Sequence, residues 1–148
     1  MIIRSMEEKD LAAVLDINAI SFISPWTQQQ FLYEMKENEF AHLFVADYDG
    51  IVIGYIDFWI TFDSGCINHI AVLPNLKRRG VGTILLTDAI ARMTNAGVSN
   101  ITLEVRHHNE SAINFYKRHG FKEVCVKKSY YDNGDDAIYM MKEVGNNE

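Results

Sequence analysis

Ile70-Ala71-Val72-Leu73-Pro74, Lys77-Arg78-Arg79-Gly80-Val81-Gly82-Thr83 and Ile84-Leu85-Leu86-Thr87-Asp88-Ala89-Ile90-Ala91 follow one another through the middle of the chain. They read as an apolar strand, a basic glycine-containing turn and an amphipathic helix. Gly80 and Gly82 let backbone N–H groups approach a ligand with no side chain in the way. The helix N-terminus then offers unpaired donors and a partial positive charge. The sum is an anion cradle suited to a pyrophosphate. It is neither common nucleotide fingerprint, because the P-loop needs Lys-Ser/Thr after its second glycine and the Rossmann pattern needs a third. Taken alone, these residues also describe a tight strand-to-helix turn with solvated basic side chains.

Composition narrows the class. The chain has 148 residues, 48% of them apolar and 23% charged, the balance of an ordinary globule, so one domain over residues 1–148 is expected. The longest apolar runs are too short to span a bilayer. Met1-Ile2-Ile3-Arg4 reads without a signal peptide, which points to a cytoplasmic protein with no membrane partner. Cys66 and Cys125 form no disulfide framework and read as reduced core thiols. The histidines and cysteines lack metal-ligand spacing, and adjacent His107-His108 in a strand would point to opposite faces, so no metal is expected. The net charge of -6 argues against direct nucleic-acid binding and favours a cationic partner.

Outward from the central stretch, strands and helices alternate. Ile2-Ile3-Arg4 begins a strand, and Ser5-x-x-Glu8 resembles a capping box ahead of a helix carrying Leu11, Val14, Leu15 and Asn18. Thr27 caps a second helix, with Gln30 closing its box and Trp26 stapling onto Phe31. His42 to Asp47 and Ile51 to Phe62 are strands joined at Asp49-Gly50, and Gly65 to Val72 is another. Val81, Ile84, Leu85, Ala89 and Met93 line one face of the central helix, which Gly97 ends. Ile101 to Arg106 is a strand, Ser111 to Arg118 a short helix, and Phe121 to Lys128 and Ala137 to Val144 the last strands. The order is β-α-α-β-β-β-α-β-α-β-β, an α/β (α+β) chain.

A second block lies downstream: Leu103-Glu104-Val105-Arg106, then Asn109, Ala112, Tyr116 and Gly120-Phe121. With the glycine turn it resembles the Gcn5-related N-acetyltransferase (GNAT) superfamily, whose signatures are Gln/Arg-x-x-Gly-x-Gly/Ala and Leu-Glu-Val-Arg…Asn-x-x-Ala-x-x-x-Tyr-x-x-x-Gly-Phe. Lys77 stands where Gln or Arg is usual. Ser24-Pro25-Trp26-Thr27 and Tyr130-Tyr131-Asp132-Asn133-Gly134-Asp135-Asp136-Ala137-Ile138-Tyr139-Met140 resemble the RimI branch, ribosomal-protein-alanine N-acetyltransferases, and its archaeal Ard1-like relatives. The resemblance runs from about Ile3 to Met141. It implies the acyl-CoA N-acyltransferase fold, a mixed, mostly antiparallel sheet with helices on both faces, and acetyl-CoA as co-substrate.

The resemblance also implies roles. Arg78, Arg79, Gly80, Val81, Gly82 and Thr83 would hold the pyrophosphate. The backbone of Ile70, Ala71 and Val72 would pair with pantetheine where that strand bulges and its neighbour splays away. Asn109 would meet the pantetheine arm, or simply cap its helix. Glu104, an acid in an apolar strand, would take the proton from the amine; the plain alternative is an exposed glutamate or a partner for Arg106. Tyr116 would protonate the CoA thiolate; the alternative is core packing, with Phe115 beside it expected in the core. Tyr130 and Tyr131 would line a peptide groove opposite Pro25-Trp26, and Asp132, Asp135 and Asp136 would either favour a cationic tail or form a solvated turn. Cys66 and Cys125 are expected to lie away from these motifs, which leaves direct attack in a ternary complex. The activity expected is acetylation of a protein N-terminus, that of a ribosomal protein with N-terminal alanine. Acetylation of a lysine or small amine, a broader Ard1-like specificity, and a non-catalytic acyl-CoA-binding module are the rivals.

Overall fold

The computed structural model describes residues 1–145, and of Lys77 and Arg78 the backbone only. Its strands are β1 (Ile2–Ser5), β2 (Ala41–Tyr48), β3 (Ile51–Thr61), β4 (Ser64–Val72), β5 (Asn100–Arg106), β6 (Lys122–Lys127) and β7 (Ala137–Glu143). Its helices are α1 (Leu11–Ser21), α2 (Gln28–Lys36), α3 (Val81–Asn95) and α4 (Glu110–Arg118). The strands form one sheet in the order β1-β2-β3-β4-β5-β7-β6. Every neighbouring pair is antiparallel except β4 and β5, which run parallel across the α3 crossover.

The local reasons are mostly those read from the sequence. Thr27 accepts from the Gln30 amide at 3.2 Å while Gln30 returns a bond to the Thr27 amide at 2.8 Å. Trp26 lies edge-on to Phe31 at 5.2 Å, completing the staple. Asp49 and Gly50, at φ 51 and 88, make the two-residue hairpin between β2 and β3. The first capping box differs: Ser5 belongs to β1, and Glu7 and Asp10 make the box around a 3-10 turn. Asp10 is held there by Arg4, whose guanidinium reaches its two oxygens at 2.8 and 2.9 Å.

The sheet has a core on each face. On one face α3 and α4 bury Val81, Leu85, Leu86, Ala89, Met93, Ile113 and Tyr116 against Ile56, Ile67, Leu103 and Met140. Ile84 points outward, and Leu86 takes the inward place expected for it. On the other face α1 and α2 bury Leu11, Val14, Ile17 and Phe31 against Val45, Tyr55 and Ala71. These two helices cover β2, β3 and β4. The β5-β7-β6 half of that face carries the loop of residues 128–136 instead, with Tyr131 over Arg106 and Tyr130 near Lys127, so the β4–β5 seam lies between α1–α2 and that loop, where the groove is expected.

Candidate active site

The groove meets a break in the sheet. Opposite Asp57 and Phe58 on β3, strand β4 slips its register between Ile67 and His69, so Asn68 is an extra residue. Strand β4 pairs with β5 only from Ser64 to Ile67, against Asn100 to Leu103. Beyond that point the two strands part. The backbone of Ile70, Ala71 and Val72 therefore has no β5 ladder beside it, which is the bulge and splay expected from the sequence. Their side chains are core or partly buried, as the packing reading requires.

The glycine turn lies at the far end of β4. Gly80 has φ 83, a left-handed conformation that favours glycine. It stands at the N-cap of α3, where among the described residues no side chain bonds to the first-turn amides. The N–H groups of Val81, Gly82 and Thr83 are thus free to face an anion. A Cβ on Gly82 would touch the Phe115 ring at 3.5 Å. The Thr83 hydroxyl lies 3.2 Å from His119 Nε2. The side chain of Arg78 lies outside the described residues. Asn109 accepts from the Ala112 amide at 3.2 Å, so it does cap α4.

Glu104 comes from the alternation of β5. Ile101, Leu103 and Val105 are buried in the α3–α4 core, and Glu104 faces the other way, into the groove. It accepts from Lys127 Nζ at 2.7 Å. Arg106, the partner weighed from sequence, binds Asp135 at 2.8 Å instead and lies 3.9 Å under the Tyr131 ring. The Glu104 contact raises the Lys127 pKa, so that ammonium stays charged. Asp135 also meets His108 at 3.0 Å, and Asp136 accepts from the Ser129 amide at 2.8 Å. These acids stitch the loop to its neighbours and are not a free acidic turn. His107 and His108 sit in the turn after β5, their rings 4.8 Å apart.

Two expectations need correction. Tyr116 is the deeper of the paired aromatics, 8% exposed and packed on Phe121 at 5.7 Å. Phe115 is only partly buried, lying over Gly82 and against His119 at 4.8 Å. Burial, then the nearby Tyr131 hydroxyl, raises the Tyr116 pKa, so it holds its proton more tightly than a free phenol. The cysteines, expected away from the motifs, stand near Glu104. Cys66 pairs with Thr102 on β5, and Cys125 pairs with Tyr139, itself the β7 partner of Glu104. Cys125 is exposed and no core thiol. Burial, with Glu104 nearby, pushes the Cys66 thiol up to about 11, which leaves it protonated at neutral pH and a poor nucleophile.

Sequence reading missed the buried polar set beneath α1–α2. The His69 ring, beside the bulge, lies tilted against those of Phe22 at 4.5 Å and Trp26 at 4.2 Å, and burial lowers its pKa to about 4. Asn18 donates to the Trp26 carbonyl at 2.9 Å and accepts from the Tyr55 hydroxyl at 3.3 Å. These contacts fix the segment expected to form one wall of the groove. Asp57 and Glu34 meet underneath. The one signal for Asp57 was its place as the lone acid in Ile51-Val52-Ile53-Gly54-Tyr55-Ile56-Asp57-Phe58.

A family model described as "Acetyltransferase (GNAT) family" matches residues 11–121. The chain belongs to the GNAT acetyltransferase family. It is 37% identical to a candidate [ribosomal protein bS18]-alanine N-acetyltransferase of Bacillus subtilis (strain 168), over 93% of this chain and 92% of that protein. It is 36% identical to an N-alpha-acetyltransferase of Sulfurisphaera tokodaii, over 93% of this chain and 90% of the other. Among solved structures it resembles the ribosomal-protein-S18-alanine N-acetyltransferase from Escherichia coli, with a TM-score of 0.89 at 29% identity, covering 99% of this chain and 96% of that one. This GNAT protein is an acetyl-CoA-dependent N-acetyltransferase. Among the described residues no helix is long and apolar enough to cross a membrane.

Proposed function

We propose that this acetyltransferase moves the acetyl group of acetyl-CoA to the α-amine of a protein N-terminus, that of a ribosomal protein beginning with alanine. The observation that carries the reading is Glu104, facing the open half of the groove just where β4 and β5 part. The relatives named for N-terminal acetylation support it. Such a substrate places the enzyme in the cytoplasm.

In this reading the amides of Arg79 to Thr83 hold the pyrophosphate at the α3 N-terminus. Backbone groups of Ile70, Ala71 and Val72 pair with pantetheine, and one N–H beside the bulge polarises the thioester oxygen. The Asn109 amide nitrogen is what that residue can offer the same arm. Tyr130 and Tyr131, edge to face at 5.0 Å, meet the peptide backbone.

A free α-amine has a pKa of roughly 7.7–8.0, so it arrives largely as ammonium. Glu104 takes one proton, directly or through water, and the freed lone pair attacks the carbonyl carbon. The C–N bond forms, the C–S bond breaks, and Tyr116 gives its proton to the leaving thiolate; the second proton, left on the new amide nitrogen, passes through water to the Tyr116 phenolate, and Glu104 returns its own to solvent. Direct attack needs no acyl-enzyme, and Cys66, whose thiol burial keeps protonated, is a poor nucleophile for one.

The test offers acetyl-CoA with peptides whose N-termini are free, blocked or varied. Acetylation of free N-termini, best with alanine first, is expected. Acetylation of a lysine in a blocked peptide, with free N-termini untouched, would overturn the reading.

A further inference from the structure

The proposed base does not stand alone. Glu104 and Lys127 form an ion pair at 2.7 Å between strands that are not sheet neighbours. Strand β7 runs between them. Tyr139 on β7 is the direct partner of Glu104 and of Cys125, and Lys127 lies two residues beyond Cys125 on the same face. The lysine stem therefore reaches across β7. Its ammonium lies 4.5 Å from the Tyr139 ring centre and 5.4 Å from that of Tyr130. Glu104 is 19% exposed and Lys127 39%, so the lysine end of the pair opens to solvent.

We propose that Lys127 is a displaceable counter-ion, holding Glu104 in the groove until the substrate's α-ammonium takes its place. This rests on Glu104 being the proton acceptor. A primary ammonium on a flexible stem has the same charge and donor set as a protein N-terminus. The two cations compete for one carboxylate. In the empty groove Lys127 keeps Glu104 compensated through its contact with Oε2. When the N-terminus arrives, Lys127 swings outward and keeps the faces of Tyr130 and Tyr139 as partners. The substrate class this selects is a cationic amine; a neutral chain end has nothing to exchange for the lysine.

The test compares a peptide with free N-terminal alanine against the same peptide carrying an N-propionyl group in place of that alanine, which removes only the amine. Peptide KM is read by steady-state kinetics at saturating acetyl-CoA. The propionyl peptide is read by its inhibition constant. In Lys127→Met the KM for the free peptide should fall roughly two- to five-fold, the scale of a partly exposed ion pair. The inhibition constant should not follow. Lys127→Arg should return KM to the parent value or above. An unchanged or raised KM in a folded Lys127→Met protein, or an equal gain for the propionyl peptide, would overturn the proposal. Glu104→Gln separates the two layers. If it keeps the parent's turnover, the base reading falls and the exchange with it. If it is inactive while Lys127→Met leaves KM alone, only the exchange falls.

Discussion

Asp57→Asn should make this protein more stable, and increasingly so as pH rises. Asp57 lies in the middle of β3 at 0% exposure, and among the described residues no N–H donor reaches either carboxyl oxygen. Glu34, 5% exposed on α2, stands against it with its own oxygens taken by Trp59 Nε1 at 2.6 Å and Asn38 Nδ2 at 2.9 Å. Burial, then Glu34, pushes Asp57 up to about 9 from its ordinary 3.8. The folded protein thus binds a proton that the unfolded chain has released. Stability is fully present below about pH 4 and is lost as pH climbs towards about 9, at up to about 1.4 kcal/mol per unit. At about pH 7.5 the accumulated loss is several kcal/mol, roughly 5 at most. Asparagine cannot ionise, and it offers Glu34 an amide donor. The variant should unfold roughly 8–16 °C higher near pH 7.5, taking 2–4 °C per kcal/mol for a gain of about 4 kcal/mol. The two should converge towards pH 4. Urea and thermal unfolding of both proteins between about pH 4 and 9 read the difference directly, because other groups cancel. Parallel stability curves, or a less stable variant at high pH, would refute a buried proton on Asp57.

Three further outcomes bear on the site. Gly82→Asp puts a carboxylate against Phe115 in the anion cradle, so acetyl-CoA affinity should fall steeply while thermal unfolding still shows a folded protein; calorimetry checks both halves. Glu104→Gln should lower kcat/KM chiefly near and below neutral pH, and the deficit should shrink above roughly pH 9, where the amine is already free; a loss uniform across pH would assign Glu104 to positioning. Tyr116→Phe should cut turnover by roughly 10²-fold or more with far less change in acetyl-CoA affinity; activity within a few-fold of the parent in a stable variant would leave the residue to the core.

Most of the fold was legible because its signals are local. The Thr27–Gln30 box, the Asp49-Gly50 hairpin and the alternation of β5 each depend on residues a few positions apart, and each gave its element correctly. The family block around Leu103-Glu104-Val105-Arg106 added what periodicity cannot. It implied that β4 and β5 part near Glu104, and the register ends at Ile67 and Leu103. Burial depth was less legible. Tyr116 and Phe115 do face different ways on α4, but the inward face is the one shared with Ile113. Which face lies deeper is decided by Phe121 and the α3 core, which arrive from elsewhere in the chain.

The electrostatics of the site were least legible, for a topological reason. The sheet order ends β5-β7-β6, so the chain leaves β5, passes through α4, lays down β6 at the edge, and returns β7 between them. Residues 23 apart in sequence, Glu104 and Lys127, thereby face each other over a strand that has yet to follow. Arg106, two residues from Glu104 and on the same face, was the partner that spacing suggested, yet Asp135 binds it. That exchange matters chemically. An arginine fork on Glu104 would hold it bidentately and release it reluctantly. A lysine at the edge strand, reaching in from solvent, is a single-point contact that a substrate ammonium can replace.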